Sequence, residues 1–271
     1  MLIVRNSPNT EGEGKMTDFN LNADMAEGYG PWRMGDDDGL LKIVSSANIA
    51  CGFHAGDYHI MGSVMKSADS YGVSIGAHPG FYDLHGFGRR QMSLSDAEIE
   101  RLIAYQLGAS LGVAAAEQVR VTHIKPHGAI NNMACVDAGL SAAIVRAVKA
   151  VDPDIIMLAP VLSELLAEAE KAGLPVAAEV FADRAYMPDG QLVPRGRPDA
   201  MIHDPEASLT HCLRMFGDSE IQTVDGGRLK VMAQSVCVHG DGLAALATAQ
   251  HIKDGLQAAG FQIKTLPQVI S

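Results

Sequence analysis

Six short apolar runs in this chain each end in a knot of ionisable side chains set among glycines. FNLNAD carries Asn22 and ends at Asp24, NIACGFHAGD carries His54 and Asp57, and SIGAHPG carries His78. VTHIKPHG carries Lys125 and His127, EVFADR carries Glu179, Asp183 and Arg184, and SVCVHGD carries His239 and Asp241. Carboxylates and imidazoles at such places suit proton transfer, ligation of a metal, or the orientation of a catalytic histidine. Lys125, Arg184 and the later Arg195 suit an anionic group, because guanidinium grips carboxylate or phosphate with two parallel hydrogen bonds.

Each residue also has a plainer reading. Asp24 and Glu27 could cap a loop, and Asp57 reads best as the N-cap of the helix that follows it. Arg184 could form a structural ion pair with Asp183 or Glu179. Lys125 resists such a reading, since a lone buried ammonium is costly. Lys125 and His127 flank Pro126, so the chain there is extended and both side chains point to one side. A cation in that position is expected to lower the pKa of His127 and keep it a neutral base. His239 and Asp241 precede a helix whose first N–H groups could face an anion. His59, His85, His203, His211 and His251 fall on helices or loops and read as surface residues.

An apolar run with such an end reads as a buried parallel strand, and α/β proteins assemble their chemistry at the carboxyl ends of those strands. Strand patterns at 18–24, 47–53, 73–77, 119–125, 155–159, 176–181 and 233–238 alternate with helix patterns at 37–45, 56–72, 95–107, 137–149, 162–173, from 204 onward and at 243–260. Ser95 and Glu98 form a capping box, Gly173 and Pro175 stop a helix, and Asp204-Pro205 starts one. The alternation implies right-handed βαβ units and a parallel sheet of about seven strands. No G-x-G-x-x-G follows the first strand, and polar residues occupy nearly every strand end instead of one switch point. The expected fold is therefore an irregular seven-stranded TIM-like (β/α) barrel, one domain over 16–271, behind a disordered extension at 1–15.

Composition narrows the function. The 271 residues carry a formal net charge of −11, the wrong sign for a general nucleic-acid or anionic-membrane binder. The four cysteines form no C-x-x-C pair and read as reduced, buried thiols of a cytoplasmic protein. No apolar stretch is long enough to span a bilayer, and P-loop, H-E-x-x-H and G-x-S-x-G sequences are missing.

At these same motifs the chain closely resembles the LamB/YcsF family. NADMAEGYGPWRMGDD, SANIACGFHAGD, GAHPGF, GFGRR, HIKPHGA, EVFADRAY, LVPRG and VCVHGD look like its signatures, and the likeness runs from about Asp18 to about Thr265. The resemblance implies a barrel of the glycoside hydrolase/deacetylase type. It also implies the role of the A component in ATP-dependent hydrolysis of the 5-oxoproline lactam to L-glutamate, with partner subunits B and C and ATP, with Mg2+, as co-substrate. On that scheme Lys125, Arg184 and Arg195 neutralise phosphate or carboxylate, with Asn22, His78 and Glu179 also on the substrate. His54, His127 and His239 move protons, oriented by Asp24 and Asp241. Three positions depart from the family pattern: Asn20 stands where Asp is usual, Ala26 where Gly is common, and Asn131 where Tyr is frequent. Two other readings stay open, a divalent-metal hydrolase using Asp24, His54 and His78 or His239, and a non-catalytic component that presents substrate to its partners.

Overall fold

The alternation F-N-L-N-A-D-M forms the first strand, β1 (Asp18–Met25), and its two faces go to different places. Phe19, Leu21, Ala23 and Met25 are buried among apolar neighbours, while Asn20, Asn22 and Asp24 hydrogen-bond to residues of other strands. A period of two separates the two sets by construction. The computed structural model describes residues 18–238 and 245–271. The proposed extension at 1–15, and His239 and Asp241, lie outside the described residues.

Strands β2 (Ser46–Ala50), β3 (Ser74–His78), β4 (Val121–Ile124), β5 (Ile156–Pro160) and β6 (Val176–Phe181) follow in order. A short antiparallel hairpin, β7 (Glu220–Gln222) and β8 (Arg228–Lys230), comes before β9 (Ser235–Cys237). Parallel pairing runs β1-β2-β3-β4-β5-β6-β9, and β9 pairs back with β1, so these seven strands close into the barrel that the sequence predicts. The ring is sealed by Asn20 facing Ser235 and Asn22 facing Cys237.

Helices cover the outside: α1 (Asp37–Leu41), α2 (Tyr58–Ser70), α3 (Asp96–Ala116), α4 (Gly128–Ala134), α5 (Ala138–Val151), α6 (Glu164–Ala172), α7 (Pro205–Leu213) and α8 (Ala245–Ala258). Their starts follow local chemistry. Asp57 caps α2 by accepting from the backbone N–H of His59 and Ile60, and Ser95 with Glu98 forms the capping box of α3. Pro205 sits in the first turn of α7 behind Asp204, and Gly173 ends α6 at φ 75°. Helix α1 ends at Leu41, short of the 37–45 that its pattern predicts. Ile99, Ile103 and Leu107 of α3, with Ile144 and Val148 of α5, bury the apolar face against the strands.

The amino end of the barrel is closed by β10 (Gln262–Ile263), paired with the start of β1, and by α9 (Leu266–Ile270). Leu266 is fully buried with Ile156, Leu158 and Ala177, and the Lys264 carbonyl accepts from Asn20 Nδ2 at 3.0 Å. Asn20 thus lies at the end of the barrel away from the strand-end histidines, not near the site as its resemblance to an acidic position implies. The loop at 183–203 carries isolated β-bridges between Arg184 and Met201 and between Tyr186 and Leu192.

Candidate active site

The polar column inside the barrel begins with Asn20, which accepts from Ser235 Oγ at 2.7 Å and donates to Ser46 Oγ at 2.7 Å. One layer up, Asn22 Nδ2 donates to Glu179 Oε1 at 2.9 Å and Ser235 Oγ at 2.8 Å, while Asn48 Nδ2 donates to Asn22 Oδ1 at 2.7 Å. His123 Nε2 meets Asn48 Oδ1 at 3.1 Å. The imidazole fits because residue 76 is glycine: a Cβ there would lie 2.3 Å from the ring. Above them Lys125 Nζ reaches Glu179 Oε1 at 2.8 Å, Asp24 Oδ1 at 3.1 Å and Cys237 Sγ at 3.2 Å. Burial opposes a charge on Lys125, but Asp24 and Glu179 outweigh it and hold the ammonium well above its usual range. Burial pushes Glu179 up in spite of Lys125. It also pushes the Cys237 thiol up in spite of Lys125, which favours the neutral, packed thiol.

At the carboxyl ends five groups crowd together. His78 Nε2 lies 3.2 Å from Asp24 Oδ2 and 3.0 Å from His127 Nδ1. Glu27 Oε1 lies 3.1 Å from His54 Nε2 and 3.6 Å from His127 Nδ1. The rings of His54 and His127 stack with centroids 3.7 Å apart. Burial tends to raise Asp24, yet the charges of His78 and Lys125 hold it well below the ordinary carboxylate range. His127 is pushed down to about 3, first by burial and then by His78. The expected cause, Lys125, is not among the leading ones; it acts on His123, which burial also takes to about 3. Burial first, then His127, holds His54 well below the usual imidazole range.

These groups open on a cavity of about 490 Å³, lined among others by Asp24, Glu27, His78, Lys125, His127, Arg184 and Arg195. That volume is in the range of small-ligand sites. Arg184 forms neither of the ion pairs weighed from sequence as hydrogen-bonded partners: Nη2 donates to the Val193 carbonyl at 2.7 Å, and Glu179 is taken by Lys125. Burial and then Arg195 push it down to about 10. The one candidate surface histidine found buried is His211, packed near Tyr186 with ring centroids 5.9 Å apart.

Two cavity residues escaped the sequence reading, Asp37 and Arg89, while Glu27 was read chiefly as a cap and Asn131 as a departure from the family pattern. Asp37 accepts from the Ala26 N–H at 3.1 Å, and burial raises it to about 6. Asn131 Oδ1 is buried without a hydrogen-bond partner. Arg89 belongs to the quoted G-F-G-R-R motif, and Asp37 to the D-D-D run, so both were visible as motifs without a position.

The model of the LamB/YcsF family matches residues 19–271. This chain belongs to the LamB/YcsF family. A relative from Azoarcus sp. (strain BH72), the A subunit of a 5-oxoprolinase, is 51% identical over 254 residues, covering 94% of this chain and 99% of its own. The crystal structure of a lactam utilization protein from Thermus thermophilus is 40% identical, with a TM-score of 0.87 over 92% of this chain and 100% of that one. The catalytic domain of a peptidoglycan N-acetylglucosamine deacetylase from Eubacterium rectale shares the fold alone, at 11% identity and a TM-score of 0.50, with 97% of this chain and 94% of that one covered. The barrel therefore shares its fold with that deacetylase domain, as the family resemblance implies. Among the described residues no helix is long and apolar enough to cross a membrane.

Proposed function

We propose that this chain is the A component of an ATP-dependent 5-oxoprolinase, acting with subunits B and C to open the 5-oxo-L-proline lactam to L-glutamate. The observation that carries the reading is one cavity in which cations stand opposite a cluster of imidazoles and carboxylates, in a chain 51% identical to the corresponding 5-oxoprolinase component of Azoarcus.

An unstrained lactam is a poor electrophile, and ATP supplies the activation. The lactam oxygen attacks the γ-phosphorus and ADP leaves. Water then adds to the activated carbon, the ring C–N bond breaks, and the nitrogen departs as an amine after taking up a proton. A second water releases phosphate from the resulting acyl phosphate and leaves glutamate. The cations Lys125, Arg184, Arg195 and Arg89 suit the substrate carboxylate and the phosphoryl oxygens. Asn131 Oδ1 is a buried acceptor suited to the lactam N–H. The neutral imidazole of His127 can accept a proton from the attacking water, with Asp24 steadying the positive charge that develops and His54 stacked behind it. Asp37, raised to about 6, can carry a proton to the leaving nitrogen near neutral pH. Asn22 and Glu179 hold Lys125 in place from below; His239 keeps the proton-moving role, and Asp241 the orienting role, that the resemblance gives them.

The test is release of ADP and glutamate from 5-oxoproline by the assembled three-component complex. Lys125→Ala and His127→Ala should each lower turnover at least ~100-fold. Unchanged turnover in both would leave this chain only a role as scaffold.

A further inference from the structure

We propose that Glu27, His78 and His127 bind a first-row divalent cation of the zinc type, with one coordination position open to the cavity. The tautomers carry the inference. His78 Nδ1 lies 2.6 Å from the Lys125 carbonyl oxygen, and His127 Nε2 lies 2.9 Å from the Phe87 carbonyl oxygen. A carbonyl only accepts, so each of those nitrogens carries the ring proton. The other nitrogens, His78 Nε2 and His127 Nδ1, then face each other at 3.0 Å. Two carboxylate oxygens join them: Asp24 Oδ2 at 3.2 Å from the first and Glu27 Oε1 at 3.6 Å from the second. Four atoms with acceptor lone pairs converge, and the two facing imidazole nitrogens hold at most one proton between them. A divalent cation placed among them offsets the repulsion that a single bridging proton leaves.

The spacing suits a metal. With bonds of about 2.1 Å, tetrahedral ligand atoms stand roughly 3.4 Å apart, and ligand atoms of Glu27, His54, His78 and His127 all lie within 4.8 Å of one another. A backbone carbonyl behind each imidazole is the arrangement that fixes a ligating histidine. His54 plays a different part. Its Nδ1 is buried without a partner while Nε2 faces Glu27, so Nε2–H donates to the carboxylate and aims it. Glu27, His78 and His127 line the cavity, whereas His54 lies behind it. The rings are packed tightly: a Cβ at Gly88 would lie 2.6 Å from His54 Cβ and 3.0 Å from His127 Cδ2. Two imidazoles favour zinc, cobalt or iron over magnesium or calcium.

The experiment uses the full chain, stripped with chelator and titrated calorimetrically with Zn2+ and, separately, Mg2+; Co2+ is followed by its visible d–d absorption. One Zn2+ or Co2+ per chain is expected, with no Mg2+ bound at the same concentrations. His78→Ala and His127→Ala should abolish binding, with His127→Gln as the conservative variant and circular dichroism as the check of folding. His54→Ala should retain the site and weaken it about 10–100-fold. Added Zn2+ should raise the melting temperature of the native chain but not of a folded His78 or His127 variant. A folded native chain that binds neither Zn2+ nor Co2+ overturns the proposal, as does binding unchanged in both histidine variants. Nitrogen-15 NMR that finds one proton shared between His78 and His127 under Zn2+ overturns it too. No turnover enters these readouts, so failure of the lactam reading and failure of the metal site are separate results.

Discussion

The inside of the barrel and the shell between strands and helices are built from opposite materials. Inside, Asn20, Asn22, Asn48, His123, Lys125, Glu179 and Ser235 form a continuous polar column. Outside, Leu21, Ile49, Ile103, Leu107, Ile144 and Val148 form an apolar layer. The shell gains free energy from burial, which depends on area and tolerates adjustment. The column gains little on balance, because each hydrogen bond replaces one to water, but it loses heavily when a member is left unpaired. The shell thus carries stability, and the column carries the position of Lys125 and Asp24 beneath the cavity.

Substitutions can break this contrast. Lys125→Met leaves Glu179 and Asp24 buried without their cation and should cost about 3–5 kcal/mol by denaturant unfolding, together with loss of turnover. A cost below about 1 kcal/mol would mean that water reaches the column. Leu107→Ala in the shell should cost about 3 kcal/mol while the folded fraction turns over normally; a selective loss of turnover would make the two regions one system. A third effect is on pH. His123, at about 3, and His211, at about 4, lie below the unfolded imidazole value, so between those values the unfolded chain binds more protons. Stability is then full above about pH 6.5 and falls as the pH drops toward 4, by about 1 kcal/mol per group per pH unit. A flat unfolding profile from about pH 7 to 5 would contradict the buried, neutral state of both rings.

The shell was largely legible in the sequence, and so was the rim. Period-two and helical patterns, the Ser95–Glu98 box and Asp204-Pro205 placed the elements, because those signals act over a few residues. The strand-end groups Asp24, His54, His78, Lys125 and His127 followed from the same rule. The column did not. His123 sits inside V-T-H-I, where nothing local reveals that Gly76 on the neighbouring strand clears a space for it. Nor does a strand pattern say which of its faces turns inward; β1 needed the ring to close before Asn20 and Asn22 acquired partners. His211 reads as a surface residue on α7 because Tyr186, which covers it, lies in a distant loop. Ala26 adopts φ 60°, which explains why Gly suits that position in the family pattern.

The seal at the amino end sets a condition on how the molecule is made. Asn20 Oδ1 must wait for the Ser235 hydroxyl, 215 positions along the polypeptide, and its amide meets the Lys264 carbonyl only 244 positions along. A ribosome that has released the first six barrel strands has therefore delivered a trough whose polar floor is still wet. Contacts spanning such separations are slow to find, so maturation of the ring is a late event, timed by synthesis of the segment that stoppers it.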